Sequence, residues 1–234
     1  MKVIILAGGL GTRISEETTD KPKPMVVIGG KPILWHVMNI YASQGFREFV
    51  IATGYKGQVI SNWVSQIEED WEVIAFDTGI GTQTGGRIKR CIEAFPDTSY
   101  FITYGDGVGN INLTSLLATH TRKSKIATVT AVRPPARFGV LELEDGLVKH
   151  FGEKNQADAG WINGGFFVAN HEIYKFIKDD STLFETGPLP WLANKNELAA
   201  FQHEGFWQPM DTLREKEMLD SLALETVPPW LHIT

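Results

Sequence analysis

The feature that most constrains this chain is an apolar run, Val3-Ile4-Ile5-Leu6, that breaks at once into Ala7-Gly8-Gly9-Leu10-Gly11-Thr12-Arg13. So short an apolar run suits a strand buried on both faces and is too short for a helix. Glycines at 8, 9 and 11 permit positive φ and leave no Cβ between the backbone and a ligand. Successive amides in such a turn form an anion-binding concavity. Arg13 adds a planar, permanently charged fork matched to phosphate oxygens. A strand ending in an amide-rich loop with an arginine is expected at the carboxyl edge of a parallel sheet, where such folds bind ligands. The alternative is a plain glycine turn. Two other phosphate loops are excluded. The dinucleotide fingerprint needs a third glycine where Ile14 stands, and the Gly-Lys-Ser/Thr ending of a P-loop is missing.

Downstream, helical and strand patterns alternate. Ile33, Leu34, Val37, Met38 and Tyr41 share one helical face, and Gly45 ends that helix. Strands are expected at 49–53, 71–76, 100–103 and 126–132, with helices at 58–68, 86–95 and 111–120 between them. This order predicts an α/β fold with a doubly wound, mostly parallel mixed sheet. From about residue 133 the pattern turns β-rich: a hairpin over 140–143 and 147–151 about Asp145-Gly146, then strands at 161–168 and 198–203. A small second lobe is expected to begin there, within a single domain over 1–234.

Composition narrows the function. Net charge is −6 with no basic run, which argues against a nucleic-acid surface. The lone cysteine, Cys91, excludes an internal disulfide and suits a cytoplasmic, reducing setting. No apolar run approaches the roughly 18 residues of a membrane span.

Several residues could carry chemistry. Lys21-Pro22-Lys23-Pro24-Met25 is held extended by its prolines, which aims the two lysines apart; Lys23 is the favoured second phosphate ligand, against two solvated lysines. Thr78-Gly79-Ile80-Gly81-Thr82-Gln83-Thr84-Gly85-Gly86-Arg87 is a second glycine-rich loop, expected at the same sheet edge as the first. Two such loops suggest a nucleotide, with Thr82, Thr84 and the backbone around Gly85 and Gly86 reading the base or ribose and Arg87 reaching a phosphate or a base carbonyl. Tyr104-Gly105-Asp106-Gly107 ends a strand: Asp106 is either a turn residue or a ligand for a hard, phosphate-binding metal, and the two phosphate-type loops favour the metal. Glu153 could accept sugar hydroxyls and Lys154 could hold a second phosphate, or both could be a solvated pair. Asn163 offers a donor and an acceptor to hydroxyls, or marks a bulge. Thr212 and Glu215 have capping-box spacing, so a helix starts there; Asp211 before it either favours the helix end or is a second metal ligand.

Gly8-Gly9-Leu10-Gly11-Thr12-Arg13 with Lys21-Pro22-Lys23-Pro24-Met25 resembles the signature of the sugar-1-phosphate nucleotidylyltransferases. Thr84-Gly85-Gly86-Arg87, Tyr104-Gly105-Asp106-Gly107, Glu153-Lys154, Asn163-Gly164-Gly165-Phe166 and Trp207-Gln208-Pro209-Met210-Asp211-Thr212 follow in the family's order. The last piece looks most like members that use CTP and α-D-glucose 1-phosphate. The resemblance implies a Rossmann-like core, with a nucleotide-binding part over about 1–132 and a sugar-phosphate-binding part over about 133–234. It implies Mg²⁺ dependence, with Asp106 and Asp211 as ligands. Leu6, Ala7, Gly8, Gly9, Leu10, Gly11, Thr12, Arg13, Lys23, Thr82, Gly85, Gly86, Arg87 and Gly105 would lie on the nucleotide side, Arg13 and Lys23 being the catalytic pair. Gly139, Glu153, Lys154, Asn163 and Gly164 would take the sugar phosphate. Uridylyl or thymidylyl transfer is the alternative within the family, and a non-catalytic nucleotide-sugar sensor the alternative outside it. A homo-oligomer is compatible. The hexamer contacts of similar members are not implied, because the connection between 71–76 and Thr84 is much shorter here.

Overall fold

The computed structural model describes residues 1–9, 11, 14, 16–134, 139–153 and 160–233. The apolar run becomes β1 (Lys2–Leu6), the centre of the molecule. After a 3-10 turn at Lys23–Met25 and a small ladder of β2 (Val27–Ile28) with β3 (Lys31–Pro32) come α1 (Ile33–Ala42), β4 (Glu48–Thr53), α2 (Gly57–Val64), β5 (Glu72–Asp77), α3 (Thr84–Ala94) and β6 (Ser99–Tyr104). Then follow β7 (Gly107–Gly109), α4 (Leu113–Lys123), β8 (Ala127–Val132), the hairpin β9 (Gly139–Glu144) and β10 (Leu147–Glu153), β11 (Ile162–Asn170), α5 (Pro188–Asn194), β12 (Leu198–His203), β13 (Trp207–Pro209) and α6 (Leu213–Ala223).

Seven strands form one sheet in the order β12-β8-β11-β6-β1-β4-β5. The pairings β1–β4, β1–β6, β4–β5 and β12–β8 are parallel, and β11 runs antiparallel to both its neighbours. The expected doubly wound, mostly parallel mixed sheet is therefore the observed one. Alternation along β1 builds two cores. Val3 and Ile5 face a cluster with α1, α4 and α6, while Ile4 and Leu6 face one with α3 and α5. Helices cover both faces, which is why β1 reads as a continuous apolar run rather than an alternating one. Cys91 lies fully buried in the second core, where burial pushes its thiol up to about 12. Among the described residues, no helix is long and apolar enough to cross a membrane.

Two sequence expectations change. Residues 133 onward do not all stand apart: β11 and β12 join the central sheet, and only the hairpin β9–β10 forms a sheet of its own. The prolines around Lys23 do not keep that segment extended; they bracket a buried 3-10 turn closed by Met25 N donating to Pro22 O at 2.8 Å. Pro24 fits because the first turn of a helix leaves its amide positions unpaired.

Parallel pairing brings the ends of β1, β4, β5 and β6 to one edge, through the partners Leu6 with Ala52 and Tyr104, and Thr53 with Asp77. The antiparallel β11 delivers its beginning to that same edge, since Phe166 faces Thr103. Asn163 and Gly164, at the beginning of β11, thus meet the loops after β1 and β5.

Candidate functional site

A cavity of about 860 Å³ opens at this edge. Of the residues singled out in the sequence, Leu6, Ala7, Gly8, Gly9, Gly11, Lys23, Thr82, Thr84, Arg87, Asp106, Asn163, Gly164 and Asp211 line it. Gly85, Gly86 and Gly105 do not. A Cβ on Gly85 would lie 2.7 Å from Thr182 O, one on Gly86 2.6 Å from Asp180 Cα, and one on Gly105 3.2 Å from Leu6 O. These glycines let α3 and the end of β6 pack closely behind the wall. Gly139 and Glu153 are ladder partners at the open end of the hairpin. Leu10, Thr12, Arg13 and Lys154 lie outside the described residues.

The acidic centre is built by a pairing that no local pattern announces. Gly107 is the ladder partner of Pro209 in β7–β13, and Met210 N donates to Asp106 O at 2.9 Å. This short ladder sets Asp106 beside Asp211. The capping box of α6 then holds the second residue: Asp211 N donates to Glu215 Oε2 at 2.7 Å, while Glu215 N donates to Thr212 Oγ1. The Lys23 ammonium sits between the two carboxylates, 2.7 Å from Asp106 Oδ2 and 2.7 Å from Asp211 Oδ1. Burial opposes the charge on Lys23, but the Asp106 charge and hydrogen bonds to both aspartates outweigh it, raising its pKa above the ordinary lysine value. Lys21 points away and meets Glu17 at 3.9 Å, so the two lysines do part.

Two carboxylates converging on one cation offer hard oxygen donors, and Mg²⁺ is characteristically held by one or two carboxylates with substrate phosphates and water supplying the rest. The residues fit such an ion. Among the described residues no group of three or more His, Cys, Asp or Glu side chains forms a metal cage.

Arg87 binds the protein more than sequence reasoning allowed. Its guanidinium is nearly inaccessible; Nη1 donates to Thr53 O, Thr78 Oγ1 and Gly79 O, and Nη2 to Gly8 O at 3.0 Å. It ties the first glycine loop to the ends of β4 and β5. Gly8 is a glycine for this reason, since a Cβ there would lie 2.3 Å from Arg87 Cζ. Gly9, by contrast, has open space where its Cβ would point. Burial lowers the Arg87 pKa, opposed by the Asp77 charge.

Sequence reasoning gave no role to several other residues lining the cavity, Tyr104, Trp207 and Gln83 among them. Tyr104 lines it, and burial with the adjacent Glu185 charge raises its phenol pKa. Trp207 lines it and donates Nε1 to Gly164 O at 2.7 Å, bracing the start of β11. Gln83 lines it at the entrance to α3. Tyr104 adjoins Gly105-Asp106 and Trp207 adjoins the Asp211 motif, so proximity to those motifs was the available signal.

The nucleotidyl transferase family model matches residues 2–212. Glucose-1-phosphate cytidylyltransferase of Salmonella typhi is 46% identical over 253 aligned positions, covering 98% of this chain and 98% of that protein. That alignment is longer than this 234-residue chain, so the relative carries residues that this chain lacks. A probable glucose-1-phosphate cytidylyltransferase of Bacillus subtilis is 42% identical, covering 92% of each chain. Among solved structures, HddC from Yersinia pseudotuberculosis superposes with a TM-score of 0.72 at 23% identity, covering 94% of this chain and 98% of its own, a likeness of fold. With the family model spanning most of its length and a near-full-length relative at 46% identity, the chain belongs to the nucleotidyl transferase family.

Proposed function

We propose that this protein transfers a cytidylyl group from CTP to α-D-glucose 1-phosphate, forming CDP-glucose and releasing pyrophosphate. Nucleotidyl transferases of this kind take a nucleoside triphosphate and a sugar phosphate, and generally use a divalent metal. The observation that carries the reading is the meeting of Lys23, Asp106 and Asp211 in one cavity with the first glycine loop and Asn163-Gly164. The full-length identity with glucose-1-phosphate cytidylyltransferases supports the choice of substrates.

The reaction asks for placement and charge rather than for a base. A phosphate monoester has a second pKa near 6, so the attacking sugar-phosphate oxygen is largely ionised at neutral pH. It forms a bond to the α-phosphorus as the bond to the bridging oxygen of pyrophosphate breaks, and the electron pair leaves with pyrophosphate. Asp106 and Asp211 would hold Mg²⁺, which when bound offsets the repulsion between the two anions. Lys23 stands beside them to meet charge at the α-phosphate, and Arg13 is assigned to the departing phosphates. Leu6 to Gly11 and Thr82 to Arg87 hold the nucleotide, either directly or by shaping the loops. Gly139, Glu153, Lys154, Asn163 and Gly164 take the sugar phosphate. A cytoplasmic setting and a homo-oligomer are compatible with this reading.

Pyrophosphate release tests this, with Mg²⁺ and α-D-glucose 1-phosphate and each of CTP, UTP, dTTP, ATP and GTP in turn. Release with CTP is expected. Preference for UTP or dTTP would keep the chemistry and reassign the base, and silence with every nucleotide and a panel of sugar 1-phosphates would overturn the assignment.

A further inference from the structure

Glu185 lies between the two halves of the site, is half-buried, and does not line the cavity. Both its oxygens are engaged. Oε1 accepts the Tyr104 hydroxyl at 2.5 Å, and Oε2 accepts the Thr84 hydroxyl at 2.7 Å. Thr84 is the first residue of α3 on the nucleotide side, and its own oxygen accepts Phe184 N at 2.9 Å. Tyr104 ends β6 next to Gly105-Asp106. Its hydroxyl oxygen receives Nδ2 of Asn163 at 3.4 Å.

The direction of every bond in this chain follows from one fact. An ionised carboxylate only accepts. Tyr104 must therefore spend its single proton on Glu185, which leaves its oxygen lone pairs facing Asn163. Asn163 answers with its amide nitrogen, and its carbonyl oxygen turns to accept Gly165 N at 2.8 Å. The Tyr104 ring packs closely against β11. Gly165, at φ +79°, stands where a Cβ would come 2.6 Å from Tyr104 Cδ2, and Phe167 packs edge-on at 6.2 Å.

We propose that Glu185 is a positioning residue for the sugar-phosphate side of the site: through Tyr104, and together with the Gly165 amide, it holds the Asn163 amide in one orientation, and so decides which hydrogen-bonding groups the sugar meets. This deepens the function proposed above and rests on it, because it takes Asn163 to be a sugar contact. Glu185 touches neither substrate. It acts through a hydroxyl whose polarity it dictates, and its second oxygen anchors the same network to the start of α3.

The test uses wild type, Glu185→Leu, Glu185→Gln, Tyr104→Phe and the Glu185→Leu/Tyr104→Phe double variant, with whichever nucleotide and sugar 1-phosphate the pyrophosphate assay selects. Glu185→Leu is expected to raise the sugar-phosphate KM about tenfold, the scale of one misdirected hydrogen bond, while kcat changes by less than about twofold. Glu185→Gln keeps a carbonyl acceptor for Tyr104 and is expected to restore most of the affinity. In the Tyr104→Phe background, Glu185→Leu is expected to add nothing further to that KM, since residues acting in one network are not additive. Direct binding provides a second readout: affinity for the nucleotide-sugar product falls in Glu185→Leu by more than affinity for the free nucleoside triphosphate does. An unchanged sugar-phosphate KM, equal loss in Leu and Gln variants, or additive effects in the double variant would overturn the proposal. If Glu185→Leu does not fold, the Glu185→Gln and Tyr104→Phe comparison decides: a Tyr104→Phe variant with unaltered sugar-phosphate KM overturns it. Inactivity of the wild type would instead count against the function itself.

Discussion

Two lysines at opposite ends of the same sheet each stand between two carboxylates, and only one of them marks a site. Lys23, at the carboxyl edge, lies 2.7 Å from both Asp106 and Asp211 and is almost fully buried. Lys2, at the start of β1, lies 3.8 Å from Glu48 and 3.9 Å from Asp97, with over a quarter of its side chain exposed. Each cluster sets a lysine against two carboxylates, and the geometry differs. At the amino end the strands merely begin, the lysine stays 3.8 and 3.9 Å from its two carboxylates, and loose ion pairs of this kind contribute little. At the carboxyl end a ladder of glycine and proline residues forces two carboxylates onto one point, and a cavity opens beside them. Convergence against electrostatic repulsion, rather than the presence of charge, distinguishes the functional cluster.

The sharpest way to break this contrast is to remove one converging carboxylate. Asp106→Ala or Asp211→Ala is expected to lower kcat by about 10³-fold or more, the scale of losing a principal stabiliser of transition-state charge, with the far-ultraviolet circular dichroism unchanged. Near-normal Mg²⁺-dependent turnover in either variant would make the pair as structural as its counterpart around Lys2. The corresponding change at the other end, Glu48→Ala, is expected to leave kcat unaltered.

The next effect is smaller and separates stability from turnover. In metal-free protein Lys23 is the cation that offsets the repulsion between Asp106 and Asp211. Lys23→Met leaves two partly buried carboxylates facing one another, and is expected to cost about 1–3 kcal/mol in metal-free buffer. Millimolar Mg²⁺ should restore part of the lost melting temperature, because an ion that binds only the folded state stabilises it. A Lys23→Met melting temperature indifferent to Mg²⁺ would show that the two carboxylates do not form a cation site. At the first loop, Gly8→Ala drives a methyl group into the Arg87 guanidinium and is expected to destabilise by about 1–3 kcal/mol while weakening nucleotide binding. Equal stability would mean that Arg87 is not the tie between the loops.

The contrast also explains which parts were legible in the sequence. The apolar run of β1, the alternation of helices and strands, and the capping box at Thr212 and Glu215 are local patterns, and each appears where expected. Asp106 and Asp211 stood out as single residues, but their meeting depends on β7 and β13. Those strands are three residues each, contain glycine and proline, and pair across about a hundred positions, so neither periodicity nor propensity reveals them. Arg87 read as a ligand because an arginine in a glycine loop suggests phosphate; that its donors would be taken by four protein oxygens follows only from the approach of three strand ends. Glu185 sits in a stretch without regular spacing, and its partners at 84 and 104 come from other elements. Residues singled out by a local motif were visible in the sequence, and the long-range partners that bring them together were not.

The smallest effect belongs to the amino end. Burial works against the Asp97 carboxylate, but the Thr98 amide and the nearby positive charges outweigh it and hold its pKa below the usual carboxylate value. A carboxyl group depressed in the folded state contributes stability above its unfolded pKa of about 3.9, and that contribution is lost as pH falls through the lower folded value. Asp97→Asn should therefore cost at most about 1 kcal/mol at pH 7, and the gap to wild type should close on acidification below about pH 3. Raising salt to about 1 M should narrow it at neutral pH, because the ion pairs with Lys2 are partly exposed and screened. Catalytic rates should not move under any of these conditions in which the fold persists. A loss of turnover in Asp97→Asn comparable to that of Asp106→Ala would erase the distinction between the two ends and assign the amino edge a part in the reaction.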